Sequence, residues 1–198
     1  MIVTCLEECG KNKVKVYLDE RYYFTLYDKE IYRYGIKVDE KISDIVVNEL
    51  SGNAIKKAKQ KAMALLKNMD RTEMELKRKL ELSGFTGEVT EEAIEYVKSY
   101  HYIDDLRYAV NYIRLKKQSK SRRQIIGELR QKGISDEDME EALAAEYDNE
   151  EEAIQREISK KVKDVDDLSK EEKQKLAAKL YRKGYGMDLI RLYVKLEY

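Results

Sequence analysis

Three stretches of this chain, "LKRKLELSGF", "IIGELRQKGI" and "LAAKLYRKGY", carry one pattern: an apolar residue, a Leu four positions on, a Gly four further, then another apolar residue. Leu76, Leu80, Gly84 and Phe85 correspond to Ile125, Leu129, Gly133 and Ile134, and to Leu176, Leu180, Gly184 and Tyr185. The glycines stand 49 and 51 residues apart. Two apolar residues four apart form one stripe on a helix. A Gly one turn later can take the left-handed conformation just past the helix end, where a Cβ would clash. The residue after it then packs back on the last turn. Start signals agree: Thr72 with Glu75, Ser121 with Gln124 and Ser169 with Glu172 are capping boxes, each supplying partners for two orphan backbone N–H groups. The third of these helices starts one turn earlier relative to its glycine.

Extending the periodicity on both sides of each glycine predicts three helices per repeat. They fall at 54–68, 72–83 and 87–100, then 105–117, 122–132 and 136–147, then 150–162, 170–183 and 187–197. Units this short bury little surface alone and are stabilised by their neighbours. The expected fold is mainly α: tandem three-helix repeats, spanning 54–103, 104–148 and 149–198, in an elongated, curved array. Residues 1–52 differ. "KVKVYL" alternates with strand period, "RYYFTLY" is aromatic and strand-like, and "ECGKNKV" reads as a hairpin turn between strands. A small β-hairpin or three-strand unit is expected over 1–38. A short helix follows at 39–51, carried by Ile42, Ile45, Val46 and Leu50 and ended by Ser51-Gly52.

The composition suits a helical chain: 39% of residues are charged, Pro is absent and Gly numbers only 9. No apolar run approaches the ~18 residues of a membrane span. The start, "MIVTCLEECGKNK", lacks the basic-then-apolar order of a signal peptide. With only Cys5 and Cys9, a reduced, cytoplasmic protein is expected, and a monomer. The net charge is zero but unevenly placed. Residues 54–133 hold 19 Lys and Arg against 11 acids, whereas 134–152 hold 10 acids and no base. Such a dipolar chain suits a nucleic acid or a charged partner protein, or simply solvated helix faces.

Enzyme chemistry finds little footing. There is no phosphate loop, no nucleophile elbow and no Cys–His pair at a helix start. Cys5, Cys9 and the lone His101 do not make a zinc ligand set, so no metal and no cofactor are expected. In "HYIDDLRYAVNYIR", Asp104 and Asp105 resemble a carboxylate pair of a metal-dependent nuclease. They are better read as a helix start. Asp104 is then the N-cap, Ile103 and Tyr108 form the hydrophobic staple, and Asp105 sits where the helix dipole favours a negative charge by ~0.3–1 kcal/mol. Arg107, at the third helical position, is left to pair with an acid or to face a partner.

The basic run is the strongest candidate surface. Residues 111–132 hold eight Lys and Arg and one acid, Glu128. Arg114, Lys116, Lys117 and Lys120 crowd a helix end, which suits the dipole, and Arg130 and Lys132 close the following helix. Arg122 and Arg123, in contrast, open that helix against the dipole. That placement points to an anion or acidic partner from outside.

With "DRTEMELKRKLELSGF", "YIDDLRYAVNYIR" and "SRRQIIGELRQKGI" in three tandem helical repeats, the chain resembles the RecX family, regulators of the RecA recombinase. The likeness covers about residues 54–198, and the N-terminal strands are similar to an extension found in members from Gram-positive-type bacteria. The third repeat departs in its longer helix and its extra glycine, Gly186. The resemblance implies a non-enzymatic modulator that lies in the groove of the RecA filament on single-stranded DNA and limits its activities in DNA repair and the SOS response. It implies that Arg107, Arg114, Lys116, Lys117, Lys120, Arg122, Arg123, Arg130 and Lys132 contact the filament, with Lys77, Arg78 and Lys79 adding to the basic face. The acidic stretch 135–152 would orient the protein or meet a basic surface of RecA. The alternative is a helical-repeat module that binds nucleic acid directly, without a recombinase.

Overall fold

The structure is a computed structural model, and it describes residues 1–85 and 87–196. Three strands open the chain: β1 (Val3–Glu8), β2 (Lys13–Leu18) and β3 (Arg21–Tyr27). They form one antiparallel sheet in the order β1-β2-β3. Strand alternation decides its two faces. Val14, Val16 and Leu18 of β2 and Phe24 and Leu26 of β3 are buried, while Lys13, Lys15 and Tyr17 point the other way. The hairpin joining β2 to β3 turns on Asp19 and Glu20, both at positive φ (47° and 67°). Neighbours hold it there: Ile2 N–H donates to the Asp19 carboxylate at 2.9 Å, and Glu20 N–H to the Thr4 hydroxyl at 3.0 Å.

Ten helices follow among the described residues, and the first two differ most from the sequence expectation. Residues 28–34, expected as the tail of the β-unit, form α1 (Asp28–Tyr34). Ile31 and Tyr34 pack half-buried against the sheet core, and past the left-handed Gly35 the buried Ile36 returns its N–H to the Ile31 carbonyl at 3.0 Å. The helix expected at 39–51 and that expected at 54–68 are one helix, α2 (Asp44–Asn68). Ser51-Gly52 does not end it. A terminating glycine works by going left-handed and letting the next apolar residue fold back, and Gly52 is followed by Asn53. A helical glycine instead costs about 1 kcal/mol against Ala, and the buried stripe Val47, Leu50, Ala58 and Ala62 runs straight past it.

That continuity gives α2 two jobs. Its first half, through Val47 and Leu50, packs with Val3, Val16, Leu18, Phe24 and Leu26 of the sheet. Its second half, through Ala58 and Ala62, packs on α3 (Glu73–Leu82) and α4 (Glu88–Ser99), against Leu76, Leu80, Ala93, Ile94 and Val97. Ile103 closes that second core. Residues 1–103 therefore form one compact unit.

The second compact unit, Asp104–Tyr198, contains α5 (Asp105–Lys116), α6 (Arg122–Gln131), α7 (Asp136–Glu146), α8 (Glu151–Ser159), α9 (Lys170–Arg182) and α10 (Met187–Val194). One core gathers Ala109, Ile113, Ile125, Leu129, Ile134, Met139 and Leu143. The other gathers Ala153, Ile154, Leu176, Leu180, Tyr185, Ile190 and Val194. The helix expected to end at 162 stops at Ser159, although Val162 still packs against the core. The last helix, expected to run to 197, ends at Val194, with Lys195 left-handed at φ 53° just past it.

The three repeat glycines behave alike. Gly84, Gly133 and Gly184 sit at φ of 93°, 84° and 92°. Phe85, Ile134 and Tyr185 N–H each reach back to the carbonyl of Leu80, Leu129 and Leu180, at 3.1, 3.1 and 3.3 Å. This is the six-to-one bond of a Schellman motif. All three capping boxes are also formed.

Two glycine substitutions should therefore act with opposite signs. Gly184→Ala puts a Cβ 2.8 Å from Arg123 Cβ in a left-handed backbone and should destabilise by more than ~1 kcal/mol. Gly52→Ala, in a helix with nothing within 4 Å of the new Cβ, should stabilise by ~0.5–1 kcal/mol. Urea-denaturation midpoints separate the two.

Candidate interaction surface

Asp104 is a helix cap. Its carboxylate accepts from Arg107 N–H at 2.8 Å, and α5 starts at the next residue. Ile103 is buried in the core of the first unit, whereas Tyr108 packs along the core of the second. The expected staple partners thus serve different cores. His101 adopts a left-handed conformation, φ 56°, at the end of α4, with Tyr102 N–H returning to the Val97 carbonyl at 2.9 Å. Cys5 and Cys9 are free thiols. Among the described residues no three His, Cys, Asp or Glu come together as a metal-holding group. None of the helices is long and apolar enough to cross a membrane.

The basic run of α5 and α6 meets the acids that follow it in sequence. Arg114 makes a two-pronged ion pair with Glu146. Lys117 donates to the Glu146 carbonyl at 2.8 Å and to Asp148 at 3.3 Å. Arg130 grips Asp136 at 3.0 and 3.2 Å. Lys120 pairs with Glu128, which also accepts from the Tyr112 hydroxyl. Burial alone would raise the Glu128 carboxyl, but the Lys120 ammonium and the Tyr112 hydroxyl outweigh it, and its pKa falls below the ordinary value. Lys116 lies close enough to add to that field. Lys132 stands over the stacked rings of Tyr108 and Tyr112, 5.3 and 5.9 Å from their centroids.

Arg122 and Arg123 are different. Both side chains are exposed, and neither has a carboxylate within ion-pair distance among the described residues. Their position at the start of α6 is compensated from inside the chain: the Glu150 carboxylate accepts from Arg122 N–H at 2.5 Å and from the Tyr147 hydroxyl at 3.3 Å. An anion at a helix N-terminus is what the dipole calls for. This corrects the expectation that an outside anion is needed there. It also leaves the two guanidinium groups unspent.

The acidic stretch 135–152 divides in the same way. Asp136, Glu146, Asp148 and Glu150 are engaged within the chain. Glu137, Glu140 and Glu141 remain exposed along α7 without ion pairs among the described residues. Arg107 is exposed at the start of α5. In the first unit, Lys77 pairs with Glu91 at 3.3 Å, and Arg78 and Lys79 are exposed on α3.

Sequence reasoning missed the contacts that hold α6 in place. The Ser121 hydroxyl, fully buried, accepts from Gln124 N–H at 3.2 Å and donates to the Lys183 carbonyl at 2.6 Å. That carbonyl is one of the orphans at the end of α9. The Lys183 ammonium pairs with Glu157, a carboxylate on α8 whose side chain is only 6% exposed, and Lys160 donates to the same carboxylate at 2.7 Å. Gly184 backs onto the Arg123 side chain. Only the capping box was visible in sequence; the second bond of Ser121 had no local signal.

Burial pushes the Glu157 carboxyl up, but Lys160 and Lys183 pull its pKa below the usual 4.5. A lowered folded value means stability that is full above the unfolded pKa and is lost as pH falls through the folded one. Glu157→Gln should cost about 1–2 kcal/mol at pH 7, allowing for the partly exposed lysines. It should also flatten the loss of stability below pH ~4.5, the ordinary value. Thermal unfolding of both proteins between pH 3 and 7 checks this.

Family models for the first, second and third three-helix domains of RecX match residues 58–96, 104–143 and 148–194. The chain is 33% identical to regulatory protein RecX of Clostridium botulinum, covering 96% of this chain and 92% of that protein. It is 33% identical to regulatory protein RecX of Caldanaerobacter subterraneus, covering 96% of each. A crystal structure of a regulatory protein RecX superposes with a TM-score of 0.64 at 21% identity over 98% of both chains. A crystal structure of RecX from Lactobacillus salivarius gives 0.62 at 24% identity, covering 73% of this chain and 96% of that one.

Proposed function

The chain belongs to the RecX family, and from that premise we propose that it is a cytoplasmic, non-enzymatic regulator that binds the RecA filament on single-stranded DNA and limits recombinase activity in DNA repair and the SOS response. The observation that carries the site is the Arg122–Arg123 pair. Arg114, Lys117, Lys120 and Arg130 of the basic run are paired within the chain, but these two exposed guanidinium groups are not. Their backbone is pinned by Glu150, Ser121 and Gly184, so little ordering entropy is lost when they dock. Guanidinium forks suit phosphate oxygens and carboxylates equally, as a protein–DNA filament offers. The exposed acids Glu137, Glu140 and Glu141 on α7 add the opposite sign and would set the orientation of docking.

The test is inhibition of strand exchange and DNA-dependent ATP hydrolysis by the cognate RecA. The wild-type protein should inhibit at or below equimolar ratio. The double variant Arg122→Glu, Arg123→Glu should need about five- to thirtyfold more protein, as expected for losing ~1–2 kcal/mol of charge-assisted contacts. Arg130→Gln, whose charge is already paired with Asp136, should shift inhibition by less than about threefold. Absence of inhibition by the wild type removes the regulator reading.

A further inference from the structure

Tyr27 ends β3 and leads into α1, and its ring is 42% exposed. Three ammonium groups surround it, brought there by three different elements. Lys13 of β2 stands 5.7 Å from the ring centroid, Lys29 of α1 5.8 Å, and Lys57 of α2 5.8 Å. One carboxylate answers them: Glu30 accepts from Lys57 at 2.8 Å and from Tyr27 N–H at 2.9 Å. Asp28 lies exposed at the start of α1 without an ion pair among the described residues. Lys13 and Lys29 have no carboxylate within ion-pair distance among the described residues. A cavity of about 90 Å³ opens beside the ring between β3 and α2, lined by Lys13, Tyr22, Tyr27, Glu30, Asn53 and Lys57. That is several times the ~10–15 Å³ one water needs. Five residues after Tyr27, α1 carries Tyr32, 91% exposed, beside Arg33.

Mutually repelling cations gathered around one aromatic ring favour a ligand that is anionic and planar together. Phosphate oxygens meet the ammonium groups, and a base offers a π-face to the ring. An acidic peptide would satisfy the lysines but has no use for an exposed tyrosine face. We propose that Tyr27, ringed by Lys13, Lys29 and Lys57, is a contact site for single-stranded nucleic acid, with the lysines taking phosphates and the ring stacking a base. The site belongs to the N-terminal unit, is separate from Arg122 and Arg123, and works without a recombinase. It therefore goes beyond the filament reading and does not depend on it.

The test is fluorescence anisotropy of a labelled oligothymidylate with the full-length protein at low salt, without RecA. It is repeated in the Arg122→Glu, Arg123→Glu background so that α6 does not mask the site. Tyr27→Leu should weaken binding by about tenfold, within the range for one stacked base, while Tyr27→Phe, which keeps the π-face, should stay within about twofold of wild type. Lys13→Gln and Lys29→Gln should each lower the slope of log affinity against log salt by about 0.7. Wild-type binding by Tyr27→Leu, with an unchanged salt slope in the lysine variants, overturns the proposal. So does displacement of the oligonucleotide by inorganic phosphate equally from wild type and Tyr27→Leu, which marks a plain anion site. Competition by polyglutamate with unaltered oligonucleotide binding by Tyr27→Leu assigns the lysines to an acidic peptide and also overturns it. If Tyr27→Leu fails to fold by circular dichroism, photocrosslinking of a bromodeoxyuridine oligonucleotide to the wild type decides. An adduct on Tyr27 supports the site, and adducts only elsewhere sink it. Inhibition of RecA, measured separately, reports on the filament reading alone.

Discussion

The placement of α6 depends on one packed corner, where the turn at Gly184 backs onto Arg123 and the Lys183 carbonyl accepts a hydrogen bond from the Ser121 hydroxyl. A side chain at 184 would fill the gap, and the left-handed backbone there excludes one in any case. Because the corner is closed, an orphan carbonyl at the end of α9 and a buried hydroxyl at the start of α6 satisfy each other. Lys183 extends the lock by reaching Glu157 on α8. The start of α6 is therefore held by the helix that follows it by half the unit, and Arg122 and Arg123 project from a fixed base.

Part of the charge on α5 and α6 is set against acids of the same unit. The acidic residues that follow the basic run come back to Arg114, Lys117 and Arg130. Exposed pairs of this kind contribute ~0–1 kcal/mol each, so their main effect is to subtract from the surface field. Among the charges left unpaired are Arg122 and Arg123 of α6, Glu137, Glu140 and Glu141 of α7, and Lys13 and Lys29 beside Tyr27. On the proposed reading, zero net charge does not prevent docking on a polyanion, because unpaired local charge rather than net charge sets the contact.

Regular features were legible in sequence because they are local. Schellman glycines and capping boxes need only residues within four or five positions, so all three repeats and most helix bounds could be read from spacing. The Asp104 cap was legible for the same reason. Reading failed where a local signal competed with a distant one. Ser51-Gly52 looks like a helix end, but α2 continues because its apolar stripe has the sheet on one half and the first triplet on the other. Helix α1 is only seven residues long, so Ile31 and Tyr34 make too short a stripe to stand out, although Gly35 and Ile36 end it as the repeat glycines end theirs.

The sequence by itself determined the three helical triplets, the strands ahead of them, the family resemblance and the basic run, since each is written in short-range periodicity and composition. Only the tertiary structure decided which of those basic residues still carry a usable charge. The pairs Arg114–Glu146 and Lys117–Asp148 span 32 and 31 positions, and Glu150 reaches Arg122 across 28. Separations of that length are set by how helices pack, and a charge is neutralised by distance in space, which spacing along the chain does not encode.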